Sequence, residues 1–179
     1  FSMHLGKYFQ YITKLDREEV PLSAEIDFIR SYIDIQLVRF SNRIRVEMDP
    51  LPEAIRNLSV PKLSVQPVIE NVFVHGFRKT VQGGLLRIRF RSEAGHAAVI
   101  VEDNGRGMND AELEAIRAQF GQSADGTVGS GLFNVHRRLQ LKQGPEAGLS
   151  LSRNEDGGLT VEIRFAGKGE QTDASVADR

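Results

Sequence analysis

Apolar positions along this chain of 179 residues recur with two different periods, and the changes of period divide it into elements. Leu5, Tyr8, Phe9, Ile12 and Leu15 recur at three- and four-residue steps, so residues 1–15 read as the end of an amphipathic helix. The charged run Asp16-Arg17-Glu18-Glu19 and Pro21 break it. Ser23 is placed to cap a second helix with the apolar face Ile26, Ile29, Ile33, Leu37 and Phe40. Residues 44–49 alternate, with Ile44, Val46 and Met48 on one side, as a half-buried strand does, and Pro50 and Pro52 end it. A third helix is expected over 65–75, opened by Ser64 and stopped by Gly76. Two strands follow near 85–91 and 97–103, then a helix over 109–119 starting at Asn109. A Gly-rich stretch at 121–131 leads into a helix over 132–142. The last strands, 149–153 and 159–165, are joined by Asn154-Glu155-Asp156-Gly157-Gly158, a hairpin turn.

This order predicts an α+β fold: a two-layer α/β sandwich, with helices on one face of a mixed, mostly antiparallel sheet. Residues 1–15 form a helix end, 16–166 one domain, and 167–179 a small, polar tail expected to be disordered. The chain opens on Phe1-Ser2-Met3 with a helical pattern already running, and is expected to be a piece of a longer protein. No apolar run approaches the roughly 18 residues that span a bilayer. Lys plus Arg total 23 against 24 Asp plus Glu, and a net charge of −1 gives no electrostatic reason to expect nucleic acid. The absence of cysteine excludes disulfides and thiolate metal sites.

Three constellations carry candidate chemistry. In Glu70-Asn71-Val72-Phe73-Val74-His75-Gly76, Asn71 and His75 are four apart on a helix and share a face. The Asn71 carbonyl is a hard oxygen suited to Mg²⁺, and His75 could donate to a phosphate; a solvated polar face is the alternative. In Asp103-Asn104-Gly105-Arg106-Gly107, alternation puts Asp103 on the side of Val99 and Val101. A carboxylate at the inner end of a buried strand needs a partner, such as an adenine amino group, and the glycines would let backbone approach a flat ring. A simple Asp-Asn-Gly turn is the alternative. Gly126-Thr127-Val128-Gly129-Ser130-Gly131-Leu132 feeds a helix N-terminus, which suits a polyphosphate but also reads as a flexible loop.

The order and spacing of the three motifs resemble the Bergerat-type ATPase and kinase fold. The match is closest to histidine kinases of the LytS/YesM type. It rests also on Val20-Pro21-Leu22-Ser23-Ala24-Glu25-Ile26, Leu37-Val38-Arg39-Phe40, Pro61 to Asn71, and Gly131 to Leu139, and it spans about residues 15–165. The resemblance implies an ATP-binding catalytic domain that transfers the γ-phosphate of ATP to a histidine. Asn71 would hold Mg²⁺, His75 would lie near the phosphates, and Asp103 would accept from the adenine amino group. Gly105, Gly107 and Met108 would line the base pocket. Gly129, Ser130, Gly131 and Leu132 would meet phosphate beneath a lid of about residues 108–128. Glu70 would take a proton or orient a neighbour. Hydrolytic relatives carry their water-activating glutamate where Pro67 stands here, which argues for phosphotransfer over hydrolysis.

Two positions depart from the family pattern. Thr127 stands where a third glycine is usual, and Leu159 where a threonine near the adenine is usual. Thr160 alternates outward with Glu162 and Arg164, so no hydroxyl is expected at the base and a lower ATP affinity follows. The family's phosphoacceptor histidine lies in an earlier helix pair. His4, His75, His96 and His136 all lack its Asn-Pro-His-Phe type of neighbourhood; His4 reads as a surface or packing residue, and His96 and His136 as structural. The resemblance further implies a homodimeric, inner-membrane sensor as the parent and a response regulator as partner. A non-catalytic nucleotide-binding module, of the anti-sigma kind, is the other reading, motivated by Leu159 and the irregular glycine loop.

Overall fold

Alternating strands need a partner layer for their apolar side, and here the helices supply it. The computed structural model describes residues 18–41, 43–78, 82–93, 96–121 and 131–167. The elements are β1 (Glu19–Pro21), α1 (Leu22–Phe40), β2 (Ile44–Met48), α2 (Glu53–Arg56), β3 (Ser59–Pro61), α3 (Gln66–Asn71) running into a π-helical turn (Val72–Gly76), β4 (Gly84–Glu93), β5 (His96–Asp103), α4 (Asp110–Phe120), α5 (Gly131–Gln143), β6 (Gly148–Arg153) and β7 (Leu159–Ala166). Five strands form one sheet in the order β2-β4-β5-β7-β6. The β2–β4 pair is parallel and the other three pairs are antiparallel, so the sheet is mixed and mostly antiparallel, as expected.

Register sorts the two faces. Ile88, Val101, Val161 and Leu151 lie in one cross-strand row, and Phe90, Val99, Ile163 and Leu149 in the next. All but the half-buried Phe90 are buried. Intervening positions carry charge: Arg87 pairs with Glu47 and Asp156, Arg89 with Glu102, and Arg91 with Glu162. These exposed or half-exposed pairs contribute about 0–1 kcal/mol each. Their larger effect is to keep this face wet, so that the helices pack on the other and two layers result.

The aromatic stripe of α1 meets the helix that follows it. Phe73 packs edge-on against Tyr32 and Phe77 and lies tilted on Phe40. Ile26, Ile29, Val68 and Ile69 are buried in the same core. The helix expected over 65–75 is present but not uniform. It is α-helical only to Asn71, and the Phe77 N–H then reaches back five residues to the Val72 carbonyl at 2.8 Å. The expected serine caps are corrected. Pro21 precedes α1 at Leu22, and neither α1 nor α3 has a side-chain cap at the residue preceding it. Ser64 is buried, and its hydroxyl donates to the Pro61 carbonyl at 2.5 Å. Asn109 does cap α4, in a capping box with Glu112. The two-stranded β1–β3 sheet and the short α2 were not expected. Among the described residues no helix is long and apolar enough to cross a membrane. The expected helix over 1–15 and nearly all of the expected tail lie outside the described residues.

Candidate functional site

The π turn places the first constellation. Val68, Ile69, Val72 and Phe73 face the core, which turns Glu70 and His75 to the exterior and leaves Asn71 half-buried. A π turn is an uncommon, costly geometry that recurs at functional sites. Here it carries the chain from Asn71 to Gly76 and delivers Gly76 against the end of β5.

A cavity of about 250 Å³ opens on this surface. Glu70, Asn71 and His75 line it from the α3 side, Met108 from the segment after β5, and Gly131 and Leu132 from the start of α5. Six residues expected at the site therefore share one cavity, although they come from three parts of the chain. Pro67, one turn before Asn71, lines it as well. A larger neighbouring cavity, about 590 Å³, is walled by His75, Gly76, Arg78 and Arg106. His75 belongs to both. The two arginines make the second cavity cationic, which suits an anionic ligand. Gly129 and Ser130, with the rest of the 122–130 loop, lie outside the described residues.

Asp103 ends β5 on the inner face beyond Val99 and Val101, as alternation implies, and is 5% exposed. Burial pushes its carboxyl above the ordinary range, opposed by the N–H groups of Gly105 and Leu159, which donate to it. The Gly105 contact is 2.8 Å. A carboxylate has about four acceptor positions, so two backbone donors leave capacity for a ligand donor. Gly76 lies against it: a Cβ there would come 3.2 Å from the Asp103 Oδ1. Asp103 thus lies against Gly76, a wall of the larger cavity, while itself lining neither cavity.

The glycines after Asp103 are required by close approach. A Cβ on Gly105 would fall 2.5 Å from the Gly76 carbonyl oxygen, and the next amide, Arg106, donates to that same oxygen at 3.1 Å. Gly107 has φ +61 and would push a Cβ to 2.5 Å from the Gly157 oxygen. Leu159 is buried at 3% exposure, and Thr160 lies on the other face of β7 with Glu162 and Arg164, as alternation implies. His136 is structural: it stacks on Phe120 with ring centroids 4.2 Å apart, and its Nδ1 accepts from the Leu149 N–H at 2.9 Å. His96 opens β5 opposite Glu93, and His4 is outside the described residues.

Sequence reasoning missed three contributors. Arg78 and Arg106 wall the larger cavity, and the only signal was a cation within two residues of a motif glycine. Asn154 sits in the predicted hairpin turn; its Nδ2 donates to the Asp103 carbonyl and its Oδ1 accepts from Gly158. It ties that turn to the end of β5, a contact across 51 residues that no local pattern encodes. Among the described residues no three His, Cys, Asp or Glu side chains converge as a metal cluster. A divalent ion here would depend on Asn71, ligand oxygens and water, which is how Mg²⁺ is usually held beside phosphates.

Comparison with known proteins bears on this geometry. Residues 62–168 match the family model described as histidine kinase-, DNA gyrase B-, and HSP90-like ATPase, and residues 1–44 match the histidine kinase model. An uncharacterized sensor-like histidine kinase of Staphylococcus epidermidis is 30% identical over 156 residues, covering 87% of this chain and 30% of the relative. Sensor histidine kinase YesM of Bacillus subtilis is 28% identical, covering 89% of this chain and 26% of its own. The chain thus spans under a third of the length of these relatives. In fold it is similar to the histidine kinase domain of a blue-light activated kinase from Erythrobacter litoralis, with TM-score 0.57 and 23% identity over 91% of this chain and 76% of that one. It is also similar to the ATP binding domain of PrrB from Mycobacterium tuberculosis, with TM-score 0.55 and 22% identity over 83% of this chain and 96% of that one. With a match over more than half its length, the chain belongs to the histidine kinase-, DNA gyrase B-, and HSP90-like ATPase family.

Proposed function

We propose that the two adjoining cavities form one cleft for Mg²⁺-ATP, from which the γ-phosphate is passed to a histidine on a helix pair preceding this domain. The observation that carries this reading is the sharing of His75 between a cavity lined by Asn71 and Gly131 and one whose wall, Gly76, covers the Asp103 carboxylate. Base recognition beside Asp103 and phosphate handling beside Asn71 then belong to one continuous surface.

Within this reading Asp103 accepts from the adenine amino group, and Gly105, Gly107 and Met108 shape the base end. Asn71 supplies one oxygen to Mg²⁺, which neutralises charge on the phosphates when bound. His75, Arg78 and Arg106 add donors along the phosphate path. The first turn of α5 at Gly131 and Leu132 has backbone N–H groups without intrahelical partners, a donor set suited to a phosphate, and Gly129 and Ser130 belong to the loop that leads there. Glu70, exposed at the cavity rim, faces where an incoming nucleophile approaches and is the candidate proton acceptor. Pro67 supports transfer over hydrolysis, because it lines the cavity one turn before Asn71 and cannot activate water. Residues 16–166 are the catalytic domain in this reading. The longer protein is proposed to be a homodimeric bacterial inner-membrane sensor with this domain in the cytoplasm, signalling to a response regulator.

The test is transfer in trans. The chain is mixed with a separately produced upstream helix pair and γ-labelled ATP. Acid-labile, base-stable label on the helix pair is the expected result. Steady release of inorganic phosphate with no labelled histidine would favour a hydrolase instead.

A further inference from the structure

Glu25 is a fully buried carboxylate in the first turns of α1, far in sequence from every residue of the cleft. Its oxygens accept from three consecutive backbone N–H groups, those of Leu63 at 2.6 Å, Ser64 at 3.0 Å and Val65 at 3.2 Å. These form the turn that launches α3, the helix that carries Asn71. The turn is held in a demanding shape, since Leu63 has φ +60, a left-handed conformation that a leucine rarely adopts. A half-buried charge meets the same turn: Arg138 of α5 donates through Nη2 to the Leu63 carbonyl at 2.6 Å. Its Nε is buried with no partner among the described residues. Burial lowers the Arg138 guanidinium from its usual range, and the Glu25 carboxylate opposes that.

A carboxylate buried without cause is costly, and one bonded to three amides beside a guanidinium is a strong, directional anchor. The anchor has consequences for the cleft because of what each helix carries. α3 runs from this turn to Asn71, and α5 runs from Gly131 and Leu132 to Arg138. The Asn71 side and the Gly131 side of the smaller cavity are thus referred to one point.

We propose that Glu25 and Arg138 are positioning residues for the nucleotide cleft: by clamping the Leu63–Val65 turn between α1 and α5, they set how far Asn71 stands from the start of α5. This rests on the nucleotide reading above, but the clamp itself is geometric. It also makes α1 a structural part of the site, so a shift of α1 against the turn moves the Asn71 helix.

The test uses the full chain in four forms: wild type, Glu25→Gln, Arg138→Met and Arg138→Lys. Ile29→Val serves as a control, a core change one turn along the same helix in a side chain that makes none of the clamp's hydrogen bonds. Calorimetry measures Mg²⁺-ADP affinity, and amide hydrogen exchange is followed over residues 66–77. Glu25→Gln and Arg138→Met are expected to weaken binding by about fivefold or more and to speed exchange in that stretch. Arg138→Lys, which keeps the charge, is expected to recover part of both. Ile29→Val should lower the melting temperature without moving either readout. Wild-type affinity and wild-type exchange in a folded Glu25→Gln variant would overturn the clamp. If the wild-type chain bound no nucleotide, the functional reading would fall, while the exchange arm would still decide the clamp.

Discussion

The backbone N–H of Leu159 donates to the carboxylate of Asp103. The position where the family usually carries a threonine therefore contributes to the Asp103 site through its main chain, while its side chain is spent on the core. The contact that Leu159 makes is independent of its side chain, and the one it lacks is a hydroxyl. Leu159→Thr is accordingly expected to tighten ATP binding modestly, by about 0.5–1.5 kcal/mol for one added hydrogen bond. It should also lower stability by about 1–3 kcal/mol through lost apolar volume. Calorimetry and urea unfolding on the same sample check both signs. A loss of affinity would show that position 159 does not face the base.

Asp103→Asn separates recognition from burial. The variant is expected to lose about tenfold or more in ATP affinity, because an amide presents a donor where the adenine amino group also donates. Its pH behaviour should differ as well. Folded Asp103 keeps its proton to higher pH than the unfolded chain does, so wild-type stability falls as pH rises from about 4 through the raised value. Asp103→Asn removes that fall. Its stability relative to wild type should therefore rise across that window in urea unfolding, whatever the absolute offset.

Gly105→Ala tests the close approach of backbone to backbone. A Cβ 2.5 Å from the Gly76 oxygen and 2.8 Å from the Asp103 Oδ1 forces the π turn and the end of β5 apart. The expected cost is about 1–3 kcal/mol of stability, with ATP binding lost in the folded fraction. Thermal unfolding with and without nucleotide gives both numbers. Wild-type affinity in this variant would remove Gly76 and Gly105 from the base end.

His136 links α5, α4 and β6. Its Nδ1 takes the Leu149 N–H and must be unprotonated to do so. Burial lowers its pKa, so the unfolded chain binds a proton first as pH falls. Stability is then full above about pH 6.5 and is lost as pH drops from there through the lowered value. His136→Phe keeps the stack on Phe120 but orphans the Leu149 amide, at about 1–3 kcal/mol. Urea midpoints at about pH 7.5 and about pH 5.5 should converge for this variant and diverge for wild type.

Sequence periodicity reached the sheet and its helices, because strands such as β7 alternate over eight residues and α1 repeats over 19. Alternation even placed Asp103 on the inner face. The π turn escaped because it changes hydrogen-bond partners without changing which side of Val72 and Phe73 is apolar. The β1–β3 sheet escaped because three-residue strands hold too little alternation to detect. Ser23 and Ser64 misled for one reason: a capping residue type is common, and only the local turn decides whether its hydroxyl is used. At the site, residues within a motif were legible and contacts between distant segments were not. Glu25 reaching amides 38 to 40 residues away, Arg138 and Asn154 all belong to that second class.

The most direct measurement is calorimetric titration of the chain with ATP in the presence and absence of Mg²⁺, repeated on Asn71→Ala. The account predicts binding by the wild-type chain that strengthens with Mg²⁺. It predicts that Asn71→Ala loses this Mg²⁺ enhancement but still binds the nucleotide through the Asp103 end. Wild-type binding indifferent to Mg²⁺, or no binding of ATP at all, would contradict it.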